Sequence, residues 1–261
     1  MTTQDPESDD RGDADRLPLA TRIGFRAAAS VVLPTMNLSV GKTWRGADRL
    51  PAGGFIGVAN HVTMIDPLAV AHAVYRTGRT PHFLAKDSLF RVRGLGGMLR
   101  GLRQVPVARG TRDGGASLEA AHEVLRLGGA IVVYPEGTLT RDPDLWPMRA
   151  KTGAARLALK TGHPVVPVAH WGVQELLGHY EKVPRPFPRK RYELQFGAPV
   201  DLEDLRGGPV TRSTLIEATE RIESALTDEV AALRGETPPE GIWDPAEGGY
   251  APRRRGREEN R

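Results

Sequence analysis

Hydrophobic residues along this chain fall in short blocks separated by polar turns. Strand-like runs occupy 42–45, 55–59, 81–85, 104–107, 130–134, 165–169 and 191–196. The run Ala130, Ile131, Val132, Val133 is continuous rather than alternating, as expected for a strand buried on both faces. Between these runs, apolar residues recur at helical spacing over 67–77, 88–100, 114–127, 151–161 and 212–234. Short buried strands with intervening helices predict a single α/β domain over 41–234. Its central sheet would be largely parallel or mixed and flanked by helices. No internal repeat is visible.

The ends read differently. Residues 1–16 are acidic and polar and predict a disordered tail. Past Arg234, Gly, Pro, Glu and Arg dominate, so 235–261 is expected to be a flexible tail. Over 17–40 the chain turns apolar, with Leu17, Leu19, Ile23, Phe25, Val31, Val32, Leu33, Met36 and Leu38, and Arg16, Arg22 and Arg26 punctuate its start. The uncharged part, 27–41, contains Pro34 and is too short to span a bilayer. Two readings stand side by side: a membrane-associating amphipathic helix lying in the interface, or a helix packed on the domain.

Charge sharpens the picture. The chain has 36 basic and 32 acidic residues; its two ends hold 7 and 12 of these, leaving 29 basic against 20 acidic over 17–234. The predicted folded part is therefore the basic part, which points to phosphate-bearing partners such as lipid headgroups, coenzyme A, an acidic carrier protein or nucleic acid. The stretch 86–112 concentrates Lys86, Arg91, Arg93, Arg100, Arg103, Arg109 and Arg112 against Asp87, interleaved with Leu89, Val92, Leu95, Met98 and Leu99. Only Phe90 offers a stacking ring, so a lipid surface fits better than nucleic acid. The absence of cysteine excludes disulfides, thiolate metal sites and a Cys nucleophile. No G-x-S-x-G elbow occurs, the Gly41-Lys42-Thr43 triplet lacks the upstream glycine of a phosphate loop, and Gly94-Leu95-Gly96 lacks the third glycine of a dinucleotide loop.

Candidate chemistry begins at Asn60-His61-Val62-Thr63-Met64-Ile65-Asp66-Pro67. On a continuous helix His61 and Asp66 would point about 140° apart. Pro67 biases Asp66 away from the helical region and suits the first helical position, with Asp66 as N-cap. The chain thus turns between the two. One Asp66 oxygen is expected to cap the helix while the other reaches the imidazole, giving a base with an orienting carboxylate. By itself the pair is more readily a structural histidine beside an N-cap, and only a whole site argues function. Two ligands are too few for a metal site. Further on, Tyr134-Pro135-Glu136-Gly137-Thr138 ends a buried strand; Gly137 permits close backbone approach, and Thr138 can donate to phosphate oxygens. Arg109, just after a strand, could clamp a phosphate.

Asn60-His61 with Asp66, then Val105-Pro106-Val107-Ala108-Arg109, then Tyr134-Pro135-Glu136-Gly137-Thr138, then Val165-Val166-Pro167-Val168 follow one another in this order. Together they resemble the four ordered blocks of the glycerolipid acyltransferase family, whose best-known members acylate lysophosphatidic acid. The resemblance covers roughly 38–200. It implies His61 as general base and Asp66 as its partner. It assigns the acceptor's glycerol phosphate to Arg109, Glu136, Gly137 and Thr138, with added charge from Lys151, and the wall near the acyl donor to Pro167. Two positions depart from the family pattern: Thr63 replaces the usual serine, and Leu139 replaces an arginine, for which Arg141 could substitute.

The implied activity is transfer of a fatty acyl group from acyl-CoA or acyl-carrier protein to 1-acylglycerol 3-phosphate, giving phosphatidic acid. No cofactor or metal is expected beyond the thioester co-substrate. The expected partners are the lysophospholipid acceptor, the thioester donor, an anionic membrane surface and an acyl-carrier protein, without nucleic acid. The expected location is peripheral, on the cytoplasmic face of the plasma membrane. A different lysophospholipid or glycosylated lipid acceptor stays open because of Leu139. A non-enzymatic membrane- or nucleic-acid-binding module gives no reason for His61, Asp66 and Glu136 to occur together.

Overall fold

The computed structural model describes residues 17–107 and 114–253. Seven strands form one sheet: β1 (Val40–Arg45), β2 (Phe55–Ala59), β3 (Pro81–Lys86), β4 (Val105–Val107), β5 (Ala130–Val133), β6 (Val165–Trp171) and β7 (Lys190–Phe196), in the order β1-β7-β6-β2-β5-β3-β4. Strands β2 to β6 run parallel to one another and β1 runs parallel to β7; the only antiparallel pair among the described strands of this sheet is β6 with β7. The expected α/β domain with a largely parallel, mixed sheet is what forms.

Strand β2 lies at the centre, paired with β5 on one side and β6 on the other. Its side chains alternate between the two faces, as a pleated strand requires. Phe55 and Ala59 join a core with Met36, Val70, Val74, Val166, Tyr192 and Phe196. Ile56 and Val58 join the opposite core with Leu125, Ile131, Val165, Leu215 and Ile222. The helices α1 (Leu19–Ser39) and α2 (Asp66–Arg76) cover the first face; α4 (Gly114–Arg126), α5 (Gly153–Thr161) and α6 (Arg212–Arg234) cover the second. With both faces covered, β2 has no exposed position, which is why it reads as an unbroken apolar run.

The N-terminal helix forms and packs on the domain. Phe25 and Met36 of α1 are buried, and the Phe25 ring meets His82 edge-on. Leu19, Ile23, Val31 and Leu38 remain exposed, within about 120° of one another around the helix axis. Among the described residues no helix is long and apolar enough to cross a membrane.

Two expectations need correction. A continuous helix over 88–100 does not form: a 3-10 turn, Asp87–Arg91, is followed by an extended residue and then the short helix α3 (Leu95–Gly101). Gly94 takes φ +80° between them, and a Cβ on Gly96 would lie 2.0 Å from the Phe90 carbonyl oxygen, so the two pieces pack too closely for any other residue. The flexible tail expected past Arg234 is also partly replaced. Residues Gly241–Asp244 (β8) and Gly249–Pro252 (β9) form a hairpin, with Ile242 buried. Arg149 holds it in place: its backbone N–H donates to the Trp243 carbonyl at 2.9 Å, and its Nε lies 2.7 Å from Asp244 Oδ2.

Candidate active site

The chain leaves β2 at Ala59, turns through 60–65 and enters α2 at Asp66. Asp66 does not cap the helix as expected. It occupies the first helical position, the N-cap is Ile65, and no side chain caps it. The carboxylate folds back over the turn instead. Its Oδ2 accepts from Val62 N at 2.7 Å, Thr63 N at 2.9 Å and His61 Nδ1 at 2.9 Å. Oδ1 has no hydrogen-bond partner. One oxygen thus carries all three donors, and the fully buried charge also sits at the positive end of the α2 dipole. Because a carboxylate only accepts, His61 Nδ1 carries the proton and Nε2 is left as the basic nitrogen.

His61 is held from every side. Its N–H donates to Glu136 Oε1 at 3.1 Å, and its carbonyl accepts from Thr140 N at 2.7 Å. The Tyr134 ring stacks on the imidazole with centroids 4.0 Å apart and planes 20° apart. The preceding residue is clasped to β6: Asn60 Nδ2 donates to the His170 carbonyl and Asn60 Oδ1 accepts from His170 N, both at 3.0 Å. His170 Nε2 in turn donates to the Asn60 carbonyl at 2.7 Å. His170 is completely buried, and that burial lowers its pKa, so it stays neutral and keeps donating.

Glu136 stands elsewhere than the resemblance implies. It is 2 % exposed, and its second oxygen accepts from Met148 N at 3.0 Å. Both oxygens are therefore spent on the protein's own backbone. Burial raises its pKa to about 8, against the pull of the Met148 and His61 N–H groups. A buried carboxylate is also a poor host for a phosphate. Glu136 braces the His61 turn from behind and does not line the cavity beside His61.

In front of His61 opens a cavity of about 300 Å³, lined by His61, Phe83, Leu89, Leu99, Tyr134 and Gly137 among others, with Lys86 at its rim. Its walls are apolar, and Gln104 stiffens one of them by accepting from Phe83 N and donating to the Pro81 and Leu102 carbonyls. Gly137 has φ +75°, and a Cβ there would come within 2.9 Å of Lys151 Nζ. The absence of a side chain on Gly137 thus leaves room for the Lys151 amine beside this cavity-lining residue. Lys151 N also donates to the Pro135 carbonyl.

The other sequence candidates separate. Thr138 is half-buried beside Gly137. Leu139 is 3 % exposed, whereas Arg141 is exposed and does not line this cavity. Pro167 is buried inside β6, level with Val58 of β2, and forms part of the sheet rather than the cavity wall. Arg109 lies outside the described residues. Three residues escaped the sequence reading: Tyr134 as a stacking partner, His170 as a clasp and Lys86 as a rim cation of this cavity. Asn60 sat in the quoted motif without a role. Among the described residues no three His, Asp or Glu side chains gather as metal ligands.

Residues 42–171 match the family model described as Acyltransferase. The chain is 28% identical over 136 residues to a chloroplastic 1-acyl-sn-glycerol-3-phosphate acyltransferase of Brassica napus, covering 51% of this chain and 38% of that protein. It is 25% identical over 151 residues to the 1-acyl-sn-glycerol-3-phosphate acyltransferase of Bacillus subtilis, covering 57% and 71%. The chain thus spans well under two thirds of the Brassica relative. Its fold is similar to the crystal structure of the Thermotoga maritima 1-acyl-sn-glycerophosphate acyltransferase PlsC, with a TM-score of 0.57 at 24% identity over 84% of this chain and 89% of that one.

Proposed function

The chain belongs to the acyltransferase family, and from that premise we propose that it moves a fatty acyl group from a thioester to the free hydroxyl of 1-acylglycerol 3-phosphate, giving phosphatidic acid. The observation that carries this reading is His61, pinned through Nδ1 to Asp66 at 2.9 Å and facing an apolar cavity. The acceptor hydroxyl gives its proton to His61 Nε2 as its oxygen attacks the thioester carbonyl. Asp66 stays ionised and stabilises the imidazolium. The tetrahedral intermediate then expels the thiolate, which takes the proton back. The apolar walls suit an acyl chain, and Lys86 and Lys151 suit an anionic headgroup. The donor is acyl-CoA or acyl-carrier protein. The enzyme works as a peripheral protein on the cytoplasmic leaflet, touching anionic lipid through the exposed stripe of α1 and the basic 86–103 face.

A second reading, with a different lysophospholipid or glycosylated lipid as acceptor, is favoured by one observation. Leu139 is buried where the family resemblance leads one to expect a cation, and Arg141 does not line this cavity. A thiol-release assay over a panel of lysolipid acceptors separates the two. His61→Ala should lower turnover about 10²–10⁴-fold, the usual worth of a general base, without loss of the thermal transition. Near-normal turnover in that variant would sink the mechanism.

A further inference from the structure

The connection between β6 and β7 carries a surface that the acyl-transfer chemistry does not use. Tyr180 is 60% exposed, Val183 73% and Phe187 69%. Lys182, Arg185 and Arg189 are exposed between and beside them, followed by Lys190 and Arg191 at the start of β7. From 178 to 191 the only acid is Glu181, and it is paired with Arg185. Large apolar side chains held out into solvent beside cations call for a specific partner.

We infer that residues 177–189 form an interfacial wedge that seats this protein on an anionic lipid bilayer. The rings and Val183 enter the headgroup boundary while the cations meet lipid phosphates. Pro184, Pro186 and Pro188 restrict the backbone, which lowers the ordering cost of insertion. A second copy of the chain is a worse occupant, because it would set Lys182 and Arg189 against the same cations.

The wedge is fastened to the catalytic turn. Thr63 Oγ1 donates to the Leu177 carbonyl at 2.7 Å, and His179 Nδ1 donates to the Val62 carbonyl at 2.7 Å. Met64, beside Thr63, is 66% exposed and extends the apolar surface. The far end is anchored too, with Arg189 donating to the Asn37 and Val40 carbonyls where α1 meets β1. Surface contact is therefore passed directly to the segment that carries His61. Binding follows from exposure and charge alone; the link to turnover rests on the acyl-transfer reading above.

The test uses the full chain and flotation with phosphatidylcholine vesicles, with and without phosphatidylglycerol. Val183→Asp/Phe187→Asp should weaken binding about tenfold or more. Lys182→Ala/Arg185→Ala should weaken it roughly fivefold per cation, only on the phosphatidylglycerol vesicles. Turnover of vesicle-embedded lysolipid should fall in parallel, while turnover of a short-chain, water-soluble acceptor stays unchanged. All four positions are exposed, so matched thermal melts are expected. Wild-type flotation by the aspartate variant would overturn the wedge, as would a shift in its oligomeric state with flotation intact. His61→Ala should still float fully, so loss of the catalytic reading and loss of the wedge give different results.

Discussion

Replacing His170 with phenylalanine tests whether the clasp between β2 and β6 sets catalytic geometry. Phenylalanine keeps a ring in the fully buried slot but removes the donor that reaches the Asn60 carbonyl at 2.7 Å. That carbonyl belongs to the peptide leading into His61. Leaving it unpaired in the interior costs roughly 1–3 kcal/mol. The structure can recover part of this by rotating the 60–61 peptide toward another donor, and the imidazole moves with it. His61 Nδ1 sits 2.9 Å from Asp66 Oδ2, so a shift of about 1 Å breaks that bond and costs on the order of 10² in rate. The expected result is a kcat lowered about 10–100-fold, with KM for acceptor and thioester within about twofold. His170→Gln puts an amide N–H near the same place and should restore most of kcat. Thiol release under saturating substrates reads kcat, and urea unfolding reads stability. A variant that loses stability but keeps kcat, or a glutamine variant no better than phenylalanine, would refute a positioning role.

Three further predictions follow the same contacts. Thr63→Val removes the hydroxyl that holds the Leu177 carbonyl and should lower turnover on vesicles several-fold, whereas Thr63→Ser should be near wild type; equal activities would dismiss the bond. Gly137→Ala places a side chain at φ +75° and against Lys151, so it should raise KM for the acceptor and cost about 1–2 kcal/mol in urea unfolding. Glu136, raised from 4.5 to about 8, contributes stability that is full below pH 4.5 and is lost progressively as pH rises toward 8, because the unfolded chain releases that proton first. Unfolding midpoints should therefore fall by a few kcal/mol equivalent across this window in the wild type, and the slope should flatten in Glu136→Gln.

Whatever the chain spells locally could be read from it. The sheet was legible because β2 and β5 are apolar runs bounded by turns, and burial on both faces leaves no polar position to blur them. The meeting of His61 and Asp66 was legible because Pro67 marks the start of α2, so the residues before Asp66 lie outside the helix and can turn. The role of Asp66 as N-cap was misread, since only the folded turn shows that the Val62 and Thr63 amides claim the same oxygen as the imidazole. The Asn60–His170 clasp joins residues 110 apart in sequence, and no local pattern marks it. The β8–β9 hairpin was hidden by Gly and Pro content, although Ile242 and Ala251 are both buried.

Glu136 shows why a motif residue's role must come from its surroundings. A carboxylate in a block associated with phosphate binding suggests a ligand contact. Its position behind the turn reverses that: two backbone N–H groups already fill it, and placing a second anion nearby would raise the cost of ionisation further. The headgroup's charge must then be met by cations on the open side. On the proposed reading, Lys86, which lines the cavity, and Lys151, whose amine lies against Gly137, are the candidates for that work. Lys86→Ala and Lys151→Ala should therefore each raise KM for a phosphomonoester acceptor about 5–10-fold while leaving KM for the thioester unchanged. A pair of variants that bind lysophosphatidic acid as tightly as wild type, yet lose affinity for a zwitterionic lysolipid, would reverse the assignment of the acceptor.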